Sequence, residues 1–264
     1  MPYRIDLPCV GDAALDRLVE LGALDVELSQ GRGMAVLMPD GVAPEQVAGA
    51  LGVDNFSVSS ATGRDADSVW VLSPRTVQAG RVRIVPAPLD AKAGDLRLLD
   101  APAFGTGLHP TTALCLEALD EAVRVAVPET VLDIGTGSGV LALAALTMGV
   151  PRALGTDVDA ESLRVAMENA RINGLQERLQ LTLGGPEAVP GTWPLVLANI
   201  LAAPLVEMAP ALVRRVGHSG RLVLSGISCS VEPDVHVAYR RLGMRRVDMT
   251  SRAGWVALVL QASW

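Results

Sequence analysis

Two rhythms of apolar residues divide this chain. From Pro110 onward, short apolar runs alternate with stretches that repeat apolar residues every three or four positions. The runs TVLDIG, RALGTDVD, RLQLTLGG, WPLVLANI and GRLVLSGI read as strands. Between them GVLALAALTMG, AESLRVAMENARING, APLVEMAPALVRRV and SVEPDVHVAYRRLG read as helices. Strands of near-continuous Val, Leu and Ala belong to a parallel sheet covered on both faces, so the pattern predicts a doubly wound α/β domain. The last two runs, MRRVDMTS and GWVALVLQ, are joined only by a short polar turn. Such a turn closes an antiparallel pair but no parallel crossover, and one reversed strand is expected at that end of the sheet.

Residues 1–60 have a different order. YRIDL is strand-like, and GDAALDRLVELG places Leu15, Leu18 and Val19 on one helical face before Gly22. ALDVELS and GMAVLMP form a hairpin about QGRG, APEQVAGALG a second helix, and NFSVSSA a last strand. The order βαββαβ predicts a small ferredoxin-like α+β domain over residues 1–60. Residues 61–99 read as a polar linker, ATGRDADS, followed by bridging strands in VWVLSP, RVRIVPAP and DLRLLDA. Residues 100–264 form the larger domain.

Composition narrows the function classes. Half of the 264 residues are hydrophobic, enough for a sizeable core, and aromatics make up only 3%. The net charge of −7 argues against a general nucleic-acid binder, while leaving a basic protein open as substrate. Cys9, Cys115 and Cys229 lie far apart, with neither metal-ligand spacing nor a disulfide framework. They are expected to be buried or semi-buried thiols, and no metal site is expected. No apolar run approaches the ~18 residues of a membrane span. The start of the chain lacks a basic stretch followed by an apolar core. A cytoplasmic protein is the expectation.

The candidate chemistry sits in two glycine-rich loops flanking one helix, APAFGTGLHPTT (Ala101 to Thr112) and VLDIGTGSGV (Val131 to Val140). In the second, Gly135, Gly137 and Gly139 end a strand and open a helix, where glycine lets backbone approach a ligand. The spacing G-x-G-x-G is not the dinucleotide fingerprint G-x-G-x-x-G, and Asp133 just before it opposes a pyrophosphate. An acidic residue there suits a cationic or hydrogen-donating group. Asp157 ends the next strand, 22 residues after Gly135, against the interval of about 20 at which a carboxylate accepts ribose hydroxyls. Asp159 reads as a helix cap. Asn199 ends WPLVLANI at the carboxyl edge of the sheet, where such folds bind ligands. Pro110 starts a helix well, which puts Thr111 and Thr112 in its first turn with amides available to a carboxylate.

A nucleoside with a cationic part and no diphosphate is S-adenosylmethionine. VLDIGTGSGVLALAA, GTDVD and LANIL together resemble the class I methyltransferases. AFGTGLHPTT, LANILAAPLVEMAPALV and GRLVLSGI resemble more narrowly the family that methylates ribosomal protein L11, over roughly Asp100 to Trp255. The resemblance implies that Phe104, Thr106 and Gly107 cover S-adenosylmethionine and that Thr112 contacts its methionine part. It implies that Asp133, Gly135 and Gly137 approach the cofactor and that Asp157 takes the ribose. Asn199 would be both cofactor-binding and catalytic, on the target side of the pocket, and His109 a loop-ordering contact. The family's Trp-rich interdomain segment has no counterpart here beyond Trp70, and Gly184 and Gly185 stand where relatives place a polar side chain. The function implied is methylation of lysine side chains or an N-terminal amine, with L11 as protein partner and no nucleic-acid or membrane partner. The alternatives are another protein substrate, or a non-catalytic module that binds the cofactor.

Overall fold

The computed structural model describes residues 2–8, 13–29, 33–61, 76–87, 89–99, 109–252 and 254–264. The chain divides into two compact units, Met1–Pro74 and Arg75–Trp264. The first contains β1 (Tyr3–Leu7), α1 (Ala13–Glu20), β2 (Asp25–Ser29), β3 (Gly33–Met38), α2 (Pro44–Leu51) and β4 (Ser57–Ser60). Its strands lie in the order β2-β3-β1-β4, each antiparallel to its neighbour. In β1 the period of two buries Ile5 and Leu7, which pack with Leu18, Met34, Val36, Met38 and Val47. The linker residues 62–68 and the run VWVLSP lie outside the described residues.

The second unit opens with β5 (Val77–Ala79), β6 (Val82–Pro86) and β7 (Leu96–Leu98) in a small sheet, β5-β6-β7. The sequence pattern missed β5, whose three residues are too short to carry a period. Then come α3 (Pro110–Val125), β8 (Thr130–Ile134), α4 (Val140–Thr147), β9 (Arg152–Asp157), α5 (Ala160–Ile172), β10 (Leu179–Leu183) and β11 (Trp193–Asn199). They are followed by α6 (Ala202–Glu207), α7 (Ala209–Val213), β12 (Val216–Ser228), α8 (Glu232–Arg241), β13 (Met244–Arg252) and β14 (Trp255–Ala262). The sheet order is β10-β9-β8-β11-β12-β14-β13. Neighbours are parallel from β10 to β12, and β14 runs against both β12 and β13. The reversed strand is thus inside the sheet rather than at its rim. The apolar β14 is buried on both faces, whereas β13, polar over most of its length, is exposed at every residue after Met244 and takes the edge.

Alternation along the strands sorts side chains between two cores. Val131, Leu195, Leu197 and Ala153 face the core built with α3, α4 and α5; Leu132, Ile134, Val196 and Ala198 face the core built with α6 to α8. The apolar helix α4 is buried from Val140 to Leu146, in one core with the sheet and with Ile84, Leu96 and Leu98 of the small sheet. The segment APLVEMAPALVRRV, read from sequence as one helix, is two, broken at Met208. Pro210 has no N–H to continue the ladder, and its ring clashes with the carbonyl four residues back. Cys115 is buried, but Cys229 is exposed in the turn after β12, against the expectation of a covered thiol. Cys9 lies outside the described residues.

One turn fixes the geometry of the sheet's carboxyl edge. Between Leu224 and Ile227 the β12–β14 register shifts, and Gly226 adopts φ +84° there. A Cβ on Gly226 would stand 2.2 Å from the Ile200 carbonyl oxygen. Gly174 also has positive φ, +66°, but nothing within 4 Å of its Cβ position. Gly226→Ala is expected to cost at least ~2 kcal/mol, a melting-temperature loss of about 4–8 °C. Gly174→Ala carries the conformational penalty alone, about 1 kcal/mol. Thermal unfolding of both variants checks the contrast, and equal losses would rule out the backbone clash.

Candidate active site

The parity that builds the core also aims the site. Asp133 is two residues beyond Val131 on β8, Asp157 four beyond Ala153 on β9, and Asn199 two beyond Leu197 on β11. All three share the sheet face covered by α3, α4 and α5, at the carboxyl ends of three strands that lie side by side. The glycine-rich turn follows β8 directly. Gly135, Gly137 and Gly139 have φ of +69°, +53° and +81°, which favours glycine at each. A Cβ on Gly135 would meet Ile200 at 2.5 Å, and one on Gly139 would press on Ala166 at 3.1 Å.

The amides of this turn are largely committed. Thr136 N–H donates to the Thr156 carbonyl (2.8 Å), Gly139 N–H to the Thr136 carbonyl (2.8 Å) and Gly137 N–H to Asp157 Oδ2 (2.9 Å). A phosphate cradle points its N–H groups outward. Here a carboxylate already takes one, so the turn offers a close backbone surface rather than an anion nest. A ligand lacking a diphosphate suits such a turn.

Asp133 is fully buried. Its Oδ2 accepts from Thr136 Oγ1 at 2.6 Å and the Ala142 amide at 3.3 Å, while Oδ1 has no partner among the described residues. Burial pushes its carboxyl up to about 6, against the pull of those two hydrogen bonds. Gly155, opposite Asp133 in the β8–β9 register, makes the room: a Cβ there would strike the Thr136 side chain at 2.9 Å. Burial and the neighbouring Asp133 also raise the Cys115 thiol, which stays protonated. Asp157 is half-buried, with Oδ1 accepting from the Asp159 amide at 3.0 Å. Carboxylate oxygens carry further lone pairs for ligand hydroxyls. Asp159 caps α5 through the Glu161 and Ser162 amides at 3.0 and 3.1 Å, which holds its carboxyl below the usual range.

The first turn of α3 meets the same edge. His109 is the N-cap; its Nδ1 accepts from the Thr111 amide at 3.3 Å and lies 2.7 Å from Thr111 Oγ1. Its ring packs edge-on against Trp255, centroids 5.1 Å apart. Burial lowers its basicity, so it is neutral near pH 7 and orders the turn. The Thr112 amide donates to the His109 carbonyl at 3.0 Å, so the first-turn donors expected to be open are capped. Thr112 Oγ1 instead accepts from Asn199 Nδ2 at 3.2 Å. Asn199 Oδ1 is buried and has no partner among the described residues. Ser225, beside Asn199 in register, binds the Thr111 carbonyl at 3.0 Å and locks α3 to β12.

The structure therefore brings together Thr112, Asp133, Gly135, Gly137, Asp157 and Asn199. Phe104, Thr106 and Gly107 lie outside the described residues. Sequence reasoning missed Thr136, Gly155 and Ser225, whose roles arise from register across strands. It also missed Val158 and Leu183, 81% and 58% exposed at the ends of β9 and β10. An apolar residue between Asp157 and Asp159 was the available signal. Gly184, at φ +128°, ties the end of β10 to the Asp157 carbonyl through its amide at 2.8 Å. Among the described residues no cluster of His, Cys, Asp and Glu is placed to hold a metal ion. No helix among them is long and apolar enough to cross a membrane.

Comparison with known proteins identifies the family. Residues 51–263 match the family model described as "Ribosomal protein L11 methyltransferase (PrmA)". A ribosomal protein L11 methyltransferase from Myxococcus xanthus is 38% identical over 226 residues, covering 83% of this chain and 76% of its own. One from Azotobacter vinelandii is 35% identical, covering 95% of this chain and 94% of its own. The crystal structure of a ribosomal protein L11 methylase from Lactobacillus delbrueckii subsp. bulgaricus is 31% identical with a TM-score of 0.66, covering 72% of this chain and 99% of its own. The chain belongs to the ribosomal protein L11 methyltransferase family, a methyltransferase of the class I α/β type with a mixed sheet whose methyl donor is S-adenosylmethionine.

Proposed function

We propose that this chain methylates lysine side chains or the N-terminal amine of ribosomal protein L11, through the site at the carboxyl edge of β8, β9 and β11. The observation that carries the reading is a pair of buried acceptor oxygens without partners among the described residues, Asp133 Oδ1 and Asn199 Oδ1, on adjacent strands. Unsatisfied buried acceptors are costly and call for donors. An amino-acid ammonium suits the first and a substrate amine the second. These oxygens and the glycine turn fit S-adenosylmethionine, which supplies an electrophilic methyl group on a sulfonium.

Each residue has a role in this reading. Asp133 and the backbone of Gly135 and Gly137 hold the methionine end, and Asp157 accepts the ribose hydroxyls. Val158 and Leu183 offer apolar surface for the base. Thr112 fixes the Asn199 amide, and Phe104, Thr106 and Gly107, which precede α3 in sequence, are read as covering the cofactor. Asn199 Oδ1 accepts an N–H of the incoming amine and orients its lone pair. A dry pocket favours the neutral amine that the displacement requires. Alignment of reactants is worth roughly 7–11 kcal/mol in such a reaction.

The small domain, residues 1–60, is read as a ferredoxin-like recognition module, supported by its order β2-β3-β1-β4 with helices after β1 and β3. Residues 61–99 are read as linker and bridging strands and residues 100–264 as the catalytic domain. A ribosomal protein target fits a cytoplasmic enzyme that meets its substrate as protein, without direct nucleic-acid binding.

The reading makes three measurable demands. With radiolabelled S-adenosylmethionine and purified L11, wild-type protein transfers label to L11, and Asn199→Ala lowers kcat at least ~100-fold, the scale of a positioned polar group. Label absent from L11 but present on another protein would remove L11 as substrate. Asp157→Ala weakens S-adenosylmethionine tenfold to a hundredfold by calorimetry, since hydrogen bonds to a charged group are worth about 1.5–3 kcal/mol. An unchanged Kd would move the ribose elsewhere.

The third demand concerns pH. Folded Asp133 keeps its proton up to about pH 6, whereas an ordinary carboxyl releases it near 3.8. The folded state therefore binds more protons in that window, and stability falls as pH rises through it. Asp133→Asn removes a penalty on the order of 3 kcal/mol. It is expected to raise the melting temperature by roughly 5 °C or more at pH 8 and to give no such gain at pH 4. The same variant loses at least ~10-fold in S-adenosylmethionine affinity, having lost a charge-assisted partner for the ammonium. A variant less stable than wild type at pH 8 would contradict the buried-charge account.

A further inference from the structure

One face of α5 reads both the glycine-rich turn and the strand before Asp100. Ala166 packs against Gly139, which has no room for a side chain. One turn on, Asn169 is fully buried and uses both ends of its amide: Nδ2 donates to the Ser138 carbonyl at 2.8 Å, and Oδ1 accepts from the Leu99 amide at 2.8 Å. A further turn on, Asn173 Oδ1 accepts from the Arg97 amide at 2.9 Å and its Nδ2 donates to the Arg97 carbonyl at 2.7 Å. Strand β7 pairs with β6 along one edge only. Its other edge is satisfied by these two side chains. The match is geometric: four helical residues rise about 6 Å, and two strand residues span about 6.6 Å.

We infer that Asn169 is a positioning residue for cofactor capture. The inference rests on the reading that the Gly135–Gly139 turn holds the methionine end of S-adenosylmethionine. Asn173 holds β7 and donates to the Asn169 carbonyl at 2.7 Å, and its side chain has no hydrogen bond to the turn. Asn169 joins two segments: its Nδ2 fixes the orientation of the Ser138 peptide inside the turn, and its Oδ1 fixes Leu99, ten residues before the N-cap His109. Interior Asn is a poor helix former. Asn169, fully buried inside α5, therefore has a use that packing alone does not supply, whereas Asn173 is the residue that caps the helix's C-terminus. Without the Asn169 amide the turn keeps its glycines but loses the anchor that sets how its backbone faces the ligand.

The test compares Asn169→Ala with Asn173→Ala in the full chain, with Asn169→Ser as a second variant that keeps a polar group too short to bridge both partners. The measurements are Kd for S-adenosylmethionine by calorimetry, KM for S-adenosylmethionine, kcat at saturation, and melting temperature. Both Ala variants are expected to lose melting temperature, since both undock β7. Only the Asn169 variants are expected to raise Kd and KM for S-adenosylmethionine, by tenfold or more, when measured well below each melting point, with kcat at saturation changed less than threefold. Equal effects of the two Ala variants on Kd, or none from Asn169→Ala or Asn169→Ser, would overturn the inference. Failure of both Asn169 variants to fold would assign the residue to the core and overturn it too. Wild-type protein that binds no S-adenosylmethionine would instead overturn the reading beneath it.

Discussion

A carboxylate buried between parallel strands is the costly element around which this site is arranged. Asp133 has lost its water on all sides, and one of its oxygens finds no partner among the described residues. Burying a charge without full compensation is unfavourable, and the protein answers in part by letting the group hold its proton to a higher pH. Thr136 and the Ala142 amide recover some of the cost through the other oxygen. Gly155 is the accommodation on the neighbouring strand, since a side chain there would displace Thr136. In the proposed reading a cationic ligand group completes the balance.

The remaining polar groups are arranged so that few compete for the ligand. Asp157 draws in the Gly137 amide and so shapes the turn as well as facing outward. His109 and the first turn of α3 satisfy each other, leaving the Thr112 hydroxyl to hold Asn199. Ser225 fastens that turn to β12 through the Thr111 carbonyl. The helix terminus that in a phosphate-binding protein would present open amides is here closed, and selectivity falls to carboxylates and an amide side chain. In the proposed reading, the carboxylates of such a site disfavour a diphosphate cofactor by charge.

The glycine-rich turn has little freedom of its own, because it is held from three directions. Thr156 and Asp157 of β9 take two of its amides, Ala166 of α5 leaves no space above Gly139, and Asn169 takes the Ser138 carbonyl. The apolar helix α4 that follows is buried almost throughout and anchors the turn from its far end. A backbone surface supported in this way can approach a ligand closely without first being ordered by it, which reduces the entropy lost on binding.

The sequence by itself determined the alternation of strands and helices, the glycine spacing that excludes a pyrophosphate, and the positions of Asp133, Asp157 and Asn199 at strand ends. These are legible because period, turn chemistry and local charge are properties of neighbouring residues. The motif AFGTGLHPTT likewise pointed to the family before any fold was known. Tertiary structure decided what depends on residues far apart. It placed the reversed strand β14 inside the sheet, because only an apolar strand tolerates two buried faces while β13 suits the edge. It broke one apparent helix at Met208, closed the amides thought to be open, and paired Asn199 with Thr112 across 87 residues. Gly155, Ser225 and Asn169 carry no mark in the one-dimensional pattern, because their partners are set by strand register and helix packing, which no local window contains.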